Sequence, residues 1–147
     1  MKFIRFLFAV LTLAGTLALH AESFAPVPKG APEGWRTASP REEITPKFSF
    51  EPSAGRNGKG ALMILHDARE GLDGYWTKTF SVTGGHYYRF EAFRKTESVS
   101  SPRRSAMVRL LWRNDKGGKV VRDEAPNAAR SSATPDGVSL VRYETNV

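Results

Sequence analysis

The chain reads as all-β, built as a sandwich of two antiparallel layers. Three observations point there. From Lys47 onward, apolar and polar residues alternate with period two in short runs. Turn-forming pairs separate the runs: Asn57-Gly58, Asp73-Gly74, Gly84-Gly85 and the stretch 114–118, NDKGG. No window beyond residue 22 carries a 3.6-residue apolar period with caps. One buried face per sheet explains the alternation.

The elements follow in chain order. Residues 1–21 open with Lys2 and Arg5 and continue in a mostly apolar run over 6–19. That run is short of the roughly 20 apolar residues a bilayer span needs. Ala21 suits a cleavage site before Glu22, so the segment reads as a signal peptide. The expected location is secreted or periplasmic, with membrane contact only through an uncleaved leader. Residues 22–46 hold Pro26, Pro28, Pro32 and Pro40 with Gly30 and Gly34, and read as an extended lead-in anchored by Trp35.

The sandwich domain is expected over 47–122. Phe48 and Phe50 alternate with Lys47, Ser49 and Glu51. Residues 52–60 form a turn-rich loop. Residues 61–66 form a short apolar strand with Leu62 and Ile64 on one face. Residues 75–82 form a strand with Trp76, Phe80 and Val82 on one side. Residues 86–95 set Tyr88, Phe90 and Ala92 opposite Tyr87, Arg89, Glu91 and Phe93. Residues 105–114 form a strand with Val108, Leu110 and Trp112 opposite Met107, Arg109, Leu111 and Arg113, and 119–122 begin the return. Residues 123–147 are weakly patterned, with one further strand over 138–143.

Composition narrows the chemistry. A length of 147 residues allows one domain. Lys+Arg 22 against Asp+Glu 15 gives a formal charge of +7, which falls to +5 once Lys2 and Arg5 leave with the signal. No run of five basic residues occurs, so nucleic acid is not an expected partner. Cysteine is absent, which removes disulfide scaffolds, thiol nucleophiles, iron–sulfur clusters and cysteine zinc sites. His20 belongs to the leader, leaving His66 and His86, and no G-x-S-x-G elbow is present, so no nucleophilic triad is expected. A glycosidase needs two carboxyls facing each other across a cleft. Glu42 and Glu43 are adjacent and would point to opposite faces of a strand, and Glu70 and Asp73 share one polar loop. GRNGKG lacks the spacing of a phosphate-binding loop. The chain is therefore expected not to be an enzyme.

The stretches FSFEPSAGRNGKGALMI, GYWTKTFSVTGGHYYRFEAFRK and MVRLLWRNDKGGKVV carry a resemblance. In their order they resemble the galactose-binding-like jelly roll of carbohydrate-binding-module type. SPREEITPKFSF, DAREGLDGYW and SPRRSAMVRLLW resemble, more narrowly, the sandwich domain that precedes a carbon–nitrogen hydrolase (nitrilase-like) domain in some exported bacterial proteins. The resemblance covers about residues 34–123. It implies a jelly-roll-like sandwich, incomplete at its C-terminal end because further strands normally follow the hairpin near residue 117. Such an end leaves an exposed sheet edge. Nitrilase-like catalysis uses a cysteine nucleophile with Glu and Lys partners, so hydrolase activity does not carry over to a chain without cysteine. No cofactor is expected. A structural calcium ion is common in such sandwiches, and Glu51, Asp67 and Asp73 sit near loop ends as hard oxygen donors, although no ligand-dense loop assigns them.

Two functions follow. The first is a non-catalytic module binding a glycan or similar polar small ligand. Sugar rings have apolar faces that stack on aromatic planes, while their hydroxyls need planar donors and acceptors. The candidate residues are Tyr75, Tyr87, Arg89, Phe93, Arg94, Arg109 and Arg113, with Arg109 and Arg113 expected on a strand beside that of Arg89 and Phe93. The second is a structural or docking accessory domain that packs against a partner enzyme domain of the carbon–nitrogen hydrolase kind. In that case the arginines form a solvated, ion-paired face. Phe93 discriminates, because it is a large apolar residue on the outward side.

Overall fold

A computed structural model describes residues 25–120, 128–133 and 138–146. The expected signal at 1–21, residues 121–122 of the expected return strand, and 123–127 and 134–137 of the tail lie outside the described residues. The chain divides into two compact units, Met1–Lys78 and Thr79–Val147. Among the described residues every ladder is antiparallel, and the architecture is all-β.

The first unit contains β1 (Arg36–Ala38), β2 (Lys47–Glu51), β3 (Ala61–Leu65) and β4 (Tyr75–Thr77). β2 and β3 form a hairpin in which Phe48 lies across from Ile64 and Phe50 from Leu62. The loop between them closes through the Gly60 amide donating to the Ala54 carbonyl at 2.8 Å. Gly55 enters that loop at φ +79°, and a Cβ there would stand 2.2 Å from the Gly60 carbonyl oxygen. Only glycine fits.

The lead-in differs from the expectation of a plain extended segment: it supplies β1, which pairs with β4. Gly34 at φ +80° precedes this strand, and Pro40, which has no amide proton, follows it. Between those two residues, Arg36–Ala38 form the ladder with β4. β4 ends at Thr77, not at 82, and Phe80 and Val82 are exposed instead of facing a core. Trp35 is half-buried, and Lys78 holds its turn by donating to the Glu33 carbonyl at 2.9 Å.

Trp76 joins the two small sheets. Its indole N–H donates to the Met63 carbonyl of β3 at 3.0 Å. Its ring meets Phe48 of β2 edge-on, with centroids 5.7 Å apart and planes at 82°. Beside it Gly74 leaves room for buried Pro46, whose Cδ would lie 2.5 Å from any Cβ at position 74. Thr37, Ala38 and Ser39 are fully buried. Their hydroxyls are satisfied: Thr37 donates to the Ala25 carbonyl at 2.7 Å, and the one proton of Ser39 is shared between the carbonyls of Asp73 and Arg41 at 2.7 and 2.8 Å.

The second unit contains β5 (Tyr87–Lys95), one helical turn α1 (Pro102–Ser105), β6 (Ala128–Ala133) and β7 (Val138–Asn146). The strand order is β5-β7-β6. β7 covers the expected 138–143 and runs on to Asn146, while β6 arises where no strand was expected. Gly84-Gly85 makes a turn, and the Tyr88 hydroxyl fastens it by accepting from the Thr83 amide at 2.8 Å and donating to the Thr83 carbonyl at 3.2 Å. The flanking segments do not form the hairpin that the glycine pair suggests, because β4 pairs with β1 and β5 with β7.

Residues 105–114 differ as well. Val108, Leu110 and Trp112 are half-buried and Met107, Arg109, Leu111 and Arg113 exposed, as the alternation predicts. Yet among the described residues the segment belongs to none of the strands, and a single bridge joins its Arg113 to Lys119. Alternation specifies a face; a ladder also needs a neighbour in register. The 114–118 turn does form, with Asn114 Oδ1 accepting from the Gly118 and Lys116 amides at 2.7 and 3.1 Å.

Trp76→Phe removes the indole donor while keeping a ring, and is expected to lower stability by about 1 kcal/mol; Trp76→Ala by about 3 kcal/mol. Gly55→Ala forces a Cβ against a carbonyl at positive φ and should cost about 2 kcal/mol or more. Thermal or urea denaturation of the three variants measures each.

Candidate ligand-binding face

β5 alternates strictly along its length: Tyr87, Arg89, Glu91, Phe93 and Lys95 are exposed, and Tyr88, Phe90, Ala92 and Arg94 are half-buried. The outward row follows from the period of two and carries Tyr87 at 84 % exposure and Phe93 at 43 %. Phe93 is thus on the outside, where its sequence position sets it. The Tyr87–Phe93 span is about 20 Å at the usual rise per residue. The register with β7 sets Glu144 opposite Arg89, Arg142 opposite Glu91 and Leu140 opposite Phe93.

The other candidate residues are placed elsewhere. Arg94 is on the inward side of β5, where its guanidinium donates to the carbonyls of Ala106 and Pro102, tying α1 to the strand. An even-numbered residue on β5 cannot share a face with Arg89 and Phe93. Arg109 and Arg113 are not on a strand paired with β5, since the segment 105–114 forms no ladder with it. Arg109 lies 3.7 Å from the Met107 sulfur, and Arg113 donates to the Gly117 carbonyl at 3.1 Å, bracing the turn. Tyr75 belongs to the first unit, at the end of β4 opposite Ala38 and 37 % exposed. The structure therefore unites Tyr87, Arg89 and Phe93 on one row.

The carboxylates of the first unit have their own arrangement. Arg69 Nε lies 3.0 Å from both oxygens of Asp67 and its Nη2 2.7 Å from Oδ2. The same guanidinium donates to the carbonyls of Glu43 and Thr45, each at 2.8 Å. It pins the 66–74 loop to the 3-10 turn Glu42–Ile44. In the sequence this is a polar loop; the signal for the clamp is the Asp67-x-Arg69 spacing, which lets one guanidinium grip its own neighbour and still reach out. The Arg69 hydrogen bond holds the Asp67 carboxyl below its ordinary pKa.

Glu51, Asp67 and Asp73 do not make a common calcium site. Register places Glu51 opposite Ala61, whereas Asp67 follows Leu65 at the other end of the hairpin. Asp67 is engaged by Arg69, and Glu51 Oε1 accepts from the Ser53 hydroxyl at 2.8 Å. Among the described residues no three His, Cys, Asp or Glu side chains cluster as metal ligands, and no helix is long and apolar enough to cross a membrane.

Comparison with protein-family models, with curated proteins and with solved structures returned no match.

A depressed folded pKa means that the clamp stabilises the loop above the unfolded carboxylate range and is lost as pH falls through the folded value. In an NMR acid titration, Asp67 is expected to protonate below an ordinary Asp, and Arg69→Ala should move its midpoint upward.

Proposed function

We propose that this chain is an exported, non-catalytic module that binds a carbohydrate or similar polar ligand on the outward row of β5. We read its strands as belonging to a galactose-binding-like, jelly-roll-type sandwich, on the strength of the sequence resemblance and the all-β antiparallel pairing. The observation that carries the binding proposal is the exposure of Tyr87 and Phe93 on either side of Arg89 and Glu91. Two rings flanking charged donors and acceptors suit a ligand with apolar faces and many hydroxyls. Arg109, Arg113, Arg94 and Tyr75 have no part in this row. The export proposal rests on the basic start and apolar run of residues 1–21.

A second reading, docking against a partner enzyme domain, has its own support. Met107 and Leu111 are 52 % and 72 % exposed on one side of the segment 105–114.

Affinity electrophoresis through a panel of soluble polysaccharides checks the first reading. Retardation by at least one is expected, with Tyr87→Ala and Phe93→Ala each weakening it about tenfold, the worth of one lost stacking contact. No retardation on any polysaccharide rejects it in favour of docking. N-terminal sequencing of the processed protein should begin at Glu22.

A further inference from the structure

The chain holds no cysteine and three methionines, Met1, Met63 and Met107, so its sulfur is all thioether. Met1 lies outside the described residues. Met63 is half-buried on β3, across from Ser49, with the Trp76 indole bound to its carbonyl. Met107 is 52 % exposed, on the outward side of the segment 105–114 with Arg109, Leu111 and Arg113. The Arg109 guanidinium reaches the Met107 sulfur, with Nη2 at 3.7 Å. A thioether is a weak acceptor, whereas a guanidinium carries charged donors suited to a strong one. Arg69 and Arg113 direct theirs at oxygen; Arg109 turns one toward sulfur.

We propose that Met107 is an oxidation site, converted to its sulfoxide by hydrogen peroxide, and that Arg109 directs the incoming oxygen and then holds it. The inference is independent of the ligand and docking readings. The thioether sulfur gives a lone pair to one peroxide oxygen. A sulfur–oxygen bond forms and the oxygen–oxygen bond breaks. Sulfur is oxidised by two electrons, and the departing hydroxide takes the proton of the transferred oxygen and leaves as water. The sulfoxide oxygen is a strong acceptor, so the guanidinium gains a charge-assisted hydrogen bond in place of a weak contact with sulfur. The two lone pairs of a thioether lead to opposite epimers at sulfur. Arg109 N–H groups lie beside the sulfur and bind the peroxide on their own side, which favours one epimer. Exposure thus selects Met107 over Met63, and Arg109 selects the epimer. The product sets a polar, chiral group where a flexible apolar one stood, on the same side of the segment as exposed Leu111.

Limited treatment of the purified chain with hydrogen peroxide, read by peptide mass spectrometry, tests this. Met107 is expected to gain one oxygen severalfold faster than Met63, because susceptibility follows exposure. The two classes of methionine sulfoxide reductase each act on one epimer. One class should therefore restore most of the oxidised Met107 and the other little of it. In Arg109→Ala the two classes should restore comparable shares, while Met107 still oxidises ahead of Met63. Circular dichroism checks that this variant is folded. In urea both preferences should vanish, since they belong to the folded chain. Oxidation of Met63 as fast as Met107 in the folded chain overturns the site. Equal epimers in the native chain, or a bias that survives Arg109→Ala, overturns the role of Arg109.

Discussion

Carbonyl oxygens beyond the ends of short ladders must be met by something other than a strand. That constraint runs through the whole protein, whose strands span as few as three residues. A buried backbone acceptor left without a donor is costly, so side chains reach across to supply one. Trp76 serves Met63, Ser39 serves Asp73, Thr37 serves Ala25 and Lys78 serves Glu33. Arg69 serves two carbonyls at once, and Arg94 does the same for α1. Trp76 joins β4 to the β3 ladder, and each of the other donors fastens a segment that lacks a ladder of its own. Fully buried side chains are few among the described residues, which leaves directional bonds as the means of fixing the loops.

The same economy shapes the outward row of β5. Tyr88 and Arg94 on the inward side are anchored to the preceding turn and to α1, so the backbone between them is held from beneath. Tyr87, Arg89, Glu91 and Phe93 are thereby presented on a strand instead of on a loop. A strand spaces its side chains regularly, which suits an extended polar ligand.

Period-two alternation made the strand segments β2, β3 and β5 legible, together with the sides taken by residues 106–113. Each of these follows from local polarity alone. The same reading missed β1, whose Arg-Thr-Ala run has no apolar alternation and whose Thr37 and Ala38 are buried beside β4. It also missed β6, Ala-Ala-Arg-Ser-Ser-Ala, for the same lack of pattern. It extended β4 past Thr77 because Phe80 and Val82 continue the alternation, although β1 offers nothing further to pair with. Of the candidate residues, Tyr87, Arg89 and Phe93 could be grouped because they share one strand. Arg94 was misplaced although its parity was readable, and Arg109 and Arg113 were assigned a neighbour that only pairing could decide.

Sequence by itself determined which side of each strand is apolar and where the chain can turn, because both depend on residues a few positions apart. It also settled the absence of any thiol chemistry. Tertiary structure decided which strands are neighbours, where each ladder stops and which guanidinium meets which carbonyl. Those outcomes depend on backbone groups distant in the chain, and backbone groups are the same at every position, so no residue names its partner in advance.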